Sequence, residues 1–166
     1  SLTTSLLAVD GVAIALFAAG DVIKSDAGST IAALHAKNIQ TWLVTGDHQD
    51  TATLVASQVG ISSQFVLAGA TPESKIEKVR ALQAAGHKVM MVGDGVNDAA
   101  ALAQADLSIA MGTGTDTAIS SADITLMRPQ LMGLVESIDL ISHFKMVSDV
   151  DCFSWNGNEF QQSKDL

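Results

Sequence analysis

The sequence predicts an α/β protein built on a mostly parallel sheet, and three observations carry that prediction. Short apolar runs of strand length alternate with longer segments of helical character. The connections between them are short and rich in Gly, Asp, Thr and Asn. Polar clusters recur directly after apolar runs, at Thr45-Gly46-Asp47, at Gly93-Asp94-Gly95-Val96-Asn97-Asp98 and from Gly112 to Asp116. In open α/β sheets the carboxyl ends of strands are where ligands bind.

In chain order, Leu6–Val9 and Val12–Phe17 are β-type runs around Asp10-Gly11, a hairpin signal. Asp21–Ala27 is polar and turn-like. Ser29–Lys37 reads as a helix with Ile31, Leu34 and His35 on one face and Asn38 near its end. Ile39–Val44 is a strand, and Asp50–Val59 a helix closed by Gly60. Gln64–Leu67 is a short strand. Pro72 opens a helix over about 72–85, because proline suits the first helical turn, and Gly86 ends it. Lys88–Val92 is a buried strand, and Ala99–Ala105 an alanine-rich helix. Leu107–Ala110 is a strand, followed by a short helix to about Ser121 and a strand at Asp123–Met127. Pro129 then begins an amphipathic helix with Leu131, Leu134, Val135, Ile138 and Ile141 on its apolar side. Strands alternating with helices at short loop lengths mean βαβ units. Beyond Lys145 the periodicity is lost, and 146–166 reads as a polar tail.

Composition narrows the function classes. The 166 residues suffice for one domain with a real core. Net charge is −9, with no basic patch to hold phosphate backbones, so nucleic acid is not an expected partner. Cys152 is the only cysteine, which excludes an intrachain disulfide and a cysteine-cluster metal site. The sequence lacks an apolar run of membrane-spanning length. Leu6–Ala19 is interrupted by Asp10-Gly11 and lacks a preceding basic region, unlike a signal peptide.

The clusters suggest a phosphoryl chemistry. Asp94 and Asp98 lie on a tight turn after a strand, and two hard oxygen anions suit Mg²⁺. Glycines on both sides of Asp94 permit positive φ and close approach of a ligand to the backbone. A threonine hydroxyl and backbone amides at 45–47 would bind phosphoryl oxygens, and Lys75 would offset their charge. Each piece has a plainer reading. Asn97 or Asp98 could cap the next helix, Thr45 and Asp47 could cap the helix from Asp50, and Lys75 could be a solvated surface lysine.

In combination and order, these residues resemble the phosphorylation domain of P-type ATPases, a branch of the haloacid dehalogenase-like superfamily. The match runs from about residue 7 to 145. Thr45-Gly46-Asp47 is similar to the family's TGD motif, Pro72-Glu73-Ser74-Lys75 to its P-x-x-K element and Gly93–Asp98 to its GDGxND hinge motif. Ala103-Gln104-Ala105-Asp106, Ile109 to Asp116 and the lead-in Asp21–Ala27 resemble the heavy-metal-transporting branch, with Gly112-Thr113-Gly114-Thr115-Asp116 (the last four reading Thr-Gly-Thr-Asp) leaning towards copper transporters.

The resemblance implies a Rossmannoid three-layer sandwich, with 1–145 as the C-terminal part of a split phosphorylation domain. It implies Asp94 as Mg²⁺ ligand with Asp98 supporting the ion's shell, and Asn97 bonding the phosphoryl group or its surroundings. Thr45 and the Gly46 amide would hold phosphoryl oxygens, Lys75 would neutralise developing charge, and Asp47 would position its loop. ATP would arrive through the parent protein's nucleotide-binding domain. Further expected partners are the actuator and membrane domains, the transported cation being bound elsewhere and this piece lying on the cytoplasmic side as a soluble domain. The family's nucleophile lies in a DKTGT motif, which this sequence lacks. Further departures are Ala99-Ala100, where a proline is usual at the second position, His48 after Asp47, and the tail. Two other readings stand beside this one: a stand-alone phosphatase of the same superfamily using Asp10, and a catalytically inactive fragment with a regulatory or binding role. A flavodoxin-like receiver would need an acidic cluster that Asp10 alone does not supply.

Overall fold

The computed structural model describes residues 3–19, 22–94, 96–112, 114–143 and 152–155. Strands β1 (Thr3–Val9) and β2 (Val12–Ala19) form an antiparallel hairpin of their own. Its turn residues Asp10 and Gly11 have φ of 50° and 79°, the pair of positive values that a tight two-residue hairpin turn demands and that Asp-Gly tolerates. The hairpin's Leu6, Leu7, Val9, Val12, Ile14, Leu16 and Phe17 are all exposed.

The rest is a six-stranded parallel sheet with helices on both faces. In chain order its elements are α1 (Ala27–Ala36), β3 (Gln40–Val44), α2 (Gln49–Val59), β4 (Val66–Leu67), α3 (Pro72–Ala84), β5 (Val89–Gly93), α4 (Ala99–Gln104), β6 (Leu107–Met111), α5 (Asp116–Ser120), β7 (Ile124–Leu126), α6 (Met132–His143) and β8 (Cys152–Trp155). The strand order is β4-β3-β8-β5-β6-β7, with every adjacent pair parallel. Connections run outward from β3 to β4 on one side and from β5 through β6 to β7 on the other. The order therefore reverses between β3 and β5, the switch point at which doubly wound sheets bind ligands.

The period of two along β5 makes the layers. Met90 and Val92 join a core with Ile31 and Leu34 of α1, Ala52 and Ala56 of α2 and Leu134 of α6. Met91 packs with Ala101 and Leu102 of α4, and Val89 with Val79 of α3. All five β5 residues are buried, as expected of a central parallel strand covered on both faces. Asp106 ties the amino ends together. Its backbone amide donates to the Val89 carbonyl at 2.9 Å, and its Oδ2 accepts from the Val89 amide at 3.0 Å and from Gln83 Nε2 at 2.9 Å. Lys88 Nζ lies 2.9 Å from its Oδ1. Asp123 does the same for β6, its Oδ2 accepting from the amide and hydroxyl of Ser108 at 2.8 and 2.7 Å.

Several expectations need amending. The strand expected at Gln64–Leu67 is a 3₁₀ turn, Ser63–Phe65, followed by only Val66–Leu67 as strand. Phe65 turns its ring edge onto Trp42 at 5.2 Å between centroids, so the turn serves aromatic packing instead of extending the ladder. The amphipathic helix starts at Met132, not directly after Pro129. Most consequentially, the segment read as a tail supplies β8, which pairs with β3 on one side and β5 on the other. A lone four-residue strand has no signal of its own; two neighbouring edges define it.

Candidate active site at the carboxyl ends of the central strands

The site is built where β3 and β5 end. β3 delivers Thr45, whose buried hydroxyl donates to Asp47 Oδ2 at 3.0 Å and accepts from the Asp47 amide at 3.1 Å. The turn is fastened by the Thr45 amide to the Leu67 carbonyl, by the Ala70 amide to the Thr45 carbonyl and by the Gly69 amide to the Asp47 carbonyl, at 2.8–2.9 Å. Neither Thr45 nor Asp47 caps α2: the N-cap is His48, and its side chain makes no capping bond. Gly46 is exposed on this turn.

α3 delivers Lys75. Thr71 caps that helix, its hydroxyl accepting from the Ser74 amide at 3.3 Å, and Pro72 occupies the first turn, where its missing N–H costs nothing. Glu73 lies in the same turn, its carboxyl held below the usual range by a hydrogen bond from a backbone amide and by the Thr71 hydroxyl. The surface reading of Lys75 fails. Lys75 is 6% exposed, and with Val79 it forms the buried, i and i+4, side of α3. Its Nζ lies 2.7 Å from Asp98 Oδ1, and Asp98 is fully buried. Asp98 stands at the N-cap of α4 but makes no side-chain capping bond, so the capping reading fails too. Its carboxylate is directed to the lysine.

β5 delivers Asp94, which is half-buried, and the 3₁₀ turn Val96–Asp98 leads on to an exposed Asn97. The role of Gly93 differs from the sequence expectation. Gly93 does not take a positive φ. A Cβ there would lie 2.8 Å from Asp98 Cβ and 3.0 Å from its Oδ2, so glycine is required to let the Asp98 side chain fold back against the strand end. Gly95 lies outside the described residues.

The loop after β6 contributes a support that the sequence reading left without a role. The Thr115 amide donates to the Asp94 carbonyl at 2.8 Å, and a Cβ on Gly114 would lie 2.7 Å from that same oxygen. The loop thus clamps the Asp94 main chain at a position only glycine can fill. Two glycines flanking a threonine were the available signal, but nothing in their spacing names Asp94 as the partner.

The structure therefore brings Lys75 onto Asp98, Asp98 against Gly93, Thr45 onto Asp47 and Gly114 against Asp94. Thr45 and Asp94 end strands separated by β8, about 10 Å apart between backbones at two strand spacings. Asp10 is not part of this assembly: it sits in the turn of the separate hairpin. Among the described residues no group of three or more His, Cys, Asp or Glu could cage a metal ion. Mg²⁺ in phosphoryl-transfer sites does not need one, because it takes one or two carboxylates and completes its octahedron with water and phosphate oxygens. The donor set at Asp94 fits that pattern.

Comparison with known proteins places this arrangement. The haloacid dehalogenase-like hydrolase family matches residues 3–106. Over 138 residues the chain is 49% identical to the probable copper-exporting P-type ATPase V of Mycobacterium tuberculosis (strain ATCC 25618 / H37Rv), covering 83% of this chain and 18% of that one. It is 46% identical over 138 residues to human copper-transporting ATPase 2, covering 83% of this chain and 9% of the relative. The chain thus spans less than a fifth of the length of either relative. Among solved structures it is similar to a zinc-transporting PIB-type ATPase in the E2.Pi state, with TM-score 0.76 and 34% identity over 87% of this chain and 23% of that one. It is also similar to the catalytic domain of the CPx-ATPase CopB-B, with TM-score 0.67 and 34% identity over 80% of this chain and 52% of the other. The fold, the ordered motifs and these likenesses agree that the chain belongs to the haloacid dehalogenase-like hydrolases, with copper-transporting P-type ATPases as its close homologues.

Proposed function

We propose that this chain is the Mg²⁺- and phosphoryl-binding part of the phosphorylation domain of a copper-transporting P-type ATPase. The observation that carries the proposal is the buried Lys75–Asp98 pair set behind Gly93-Asp94, across the sheet's switch point from the Thr45 turn.

Each residue then has a task. Asp94 offers its carboxylate to the ion, which when bound draws charge from the phosphoryl oxygens. Asp98, tied to Lys75, holds the ammonium in place and supports the ion's shell from behind. Lys75 offsets the negative charge of the phosphoryl group from a site nearly free of water, where charge acts more strongly than in solvent. The Thr45 hydroxyl, oriented by Asp47, and the Gly46 amide bind phosphoryl oxygens, and Asn97 reaches the group from the exposed side. Such a site works by positioning and charge stabilisation more than by covalent chemistry of its own. The family's nucleophile motif is absent from this sequence, so the aspartate that accepts the phosphoryl group comes from elsewhere in the parent protein. In that protein ATP is presented by a nucleotide-binding domain, and actuator and membrane domains complete the pump. No helix among the described residues is long and apolar enough to cross a membrane.

The test is Mg²⁺ titration of the chain, with and without a phosphate analogue, by calorimetry. Asp94→Asn is expected to weaken Mg²⁺ binding at least about tenfold, or about 1.4 kcal/mol, with the thermal midpoint kept. Unchanged affinity in that variant would remove Asp94 from the role.

A further inference from the structure

The start of α6 is held by a distant part of the chain. Its first residue, Met132, donates its backbone amide at 3.1 Å to Oδ2 of Asp26, 106 positions earlier. Lys24 Nζ donates to the Pro129 carbonyl, just before the helix. Asp26 stands at the N-cap of α1 but makes no side-chain capping bond there; its carboxylate serves α6 instead. The short segment between the hairpin and α1 thus fixes where α6 begins. From that point to Asp94 the contacts leave no slack. Gly133, in the first turn of α6, lies against Leu126, where a Cβ would come 3.4 Å from Leu126 Cδ2. The Leu126 carbonyl accepts from the Gly112 amide at 2.6 Å, and a Cβ on Gly112 would lie 2.6 Å from the same oxygen. The loop after β6 then closes on the Asp94 carbonyl through Gly114 and the Thr115 amide. Close-packed contacts of this kind pass a displacement on instead of absorbing it.

We propose that Asp26 is a positioning residue for Asp94, acting through the start of α6, the end of β7 and the loop after β6. Its bearing on Mg²⁺ rests on the functional reading above, which makes Asp94 the cation ligand. Without the Asp26 carboxylate the Met132 amide loses its partner, and the first turn of α6 is released. Leu126 and Gly112 follow, and the bond from the Thr115 amide to the Asp94 carbonyl loosens. Mg²⁺ demands near-ideal octahedral geometry, so its affinity is sensitive to where the Asp94 carboxylate is held. Lys24 supports the same tie from the Pro129 side. The coupling is reciprocal: a cation held at Asp94 steadies the start of α6. The exposed Lys37–Asp139 pair also joins α1 to α6, but farther along α6 and off this route.

Amide hydrogen exchange without a cation and Mg²⁺ calorimetry, both on the full chain, test this. In Asp26→Ala the Gly112 and Thr115 amides are expected to exchange at least about tenfold faster relative to those of Met90 and Met91. Mg²⁺ binding should weaken about three- to tenfold in the same variant. Asp26→Asn keeps an acceptor for the Met132 amide and should stay within about twofold of the unmodified chain in both measurements. Lys24→Met is the milder variant and decides the matter if Asp26→Ala does not fold. It should weaken Mg²⁺ binding about two- to threefold, whereas loss of a positive charge alone would strengthen it. Lys37→Met should leave exchange at both amides unchanged. Asp26→Asn as damaging as Asp26→Ala would overturn the proposal, because charge and not the capping bond would then be acting. Tighter Mg²⁺ binding in Lys24→Met would overturn it too. So would unchanged exchange at Gly112 and Thr115 while Asp94→Asn still weakens Mg²⁺ binding, a result that leaves the functional reading standing. Faster exchange at those amides, with no Mg²⁺ binding by the unmodified chain, would uphold the link to Asp94 and overturn the functional reading instead.

Discussion

The strongest stability test of the site is Lys75→Met. The substitution keeps the length and much of the volume of the side chain but removes the cation 2.7 Å from Asp98 Oδ1. Asp98 is fully buried, so its carboxylate cannot turn to water for compensation. Breaking a buried pair by removing one partner costs about 3–5 kcal/mol, because a charge is left without its counterion. In a domain of this size each kcal/mol moves the thermal midpoint by about 3 °C, so a drop of roughly 10–15 °C is expected. Adding Asp98→Asn removes the stranded charge. The double variant should regain about 1–3 kcal/mol relative to Lys75→Met, the coupling expected of groups in direct contact. Urea denaturation followed by circular dichroism measures both quantities. A loss below about 1 kcal/mol would mean that Lys75 behaves as a surface lysine. A double variant no more stable than Lys75→Met would show that the pair is not coupled. Either result refutes the buried-pair reasoning.

Other outcomes follow from the same geometry. Gly114→Ala places a methyl group 2.7 Å from the Asp94 carbonyl oxygen, and overpacking of that kind costs about 1–3 kcal/mol; it should also lower Mg²⁺ affinity by displacing the Asp94 main chain. Gly28→Ala, with open space around its Cβ in α1, is the control and should gain about 0.5–1 kcal/mol in a urea titration. Burial raises the Asp106 pKa, but hydrogen bonds from Gln83, the Val89 amide and Lys88, with the charge of Lys88, outweigh it and leave the carboxyl below its ordinary 3.8. A lowered pKa in the fold means stability that is present above 3.8 and is lost as pH falls through the folded value. Asp106→Asn should therefore flatten the acid side of the stability profile below that value, and a urea midpoint that still falls as steeply there would argue against the assignment. Lys78→Gln removes the ammonium 3.2 Å above the Trp42 ring centroid and should cost about 0.5–1 kcal/mol by thermal melt.

Local features were legible wherever one residue's chemistry decides the backbone. Asp10-Gly11 specified the hairpin because two consecutive positive φ values admit few other pairs. Pro72 marked the start of α3, and the alternation of apolar and polar stretches marked the order of strands and helices. The motif residues followed strand ends as expected, because that placement is a matter of sequence order. Less was legible where a residue's neighbour comes from far along the chain. Lys75 and Asp98 are 23 positions apart, and a lysine on a helix looks the same in sequence whether buried or solvated. Gly93 read as a glycine free to take a positive φ, and Gly114 had no role of its own. Their actual constraint is a side chain and a carbonyl pressed against them.

By itself, then, the sequence determined the fold class, the succession of elements and which polar residues would stand at the carboxyl ends of strands. Those properties depend on periodicity, caps and turns, which act within a few residues. Only the tertiary structure decided that Lys75 is buried on Asp98 and that the loop at Gly114 and Thr115 clamps Asp94. It alone decided that Cys152–Trp155 occupies the centre of the sheet. Each of these depends on surfaces that meet only after the helices cover the sheet: burial converts a lysine into a fixed counterion, and two open strand edges convert four unpatterned residues into a strand.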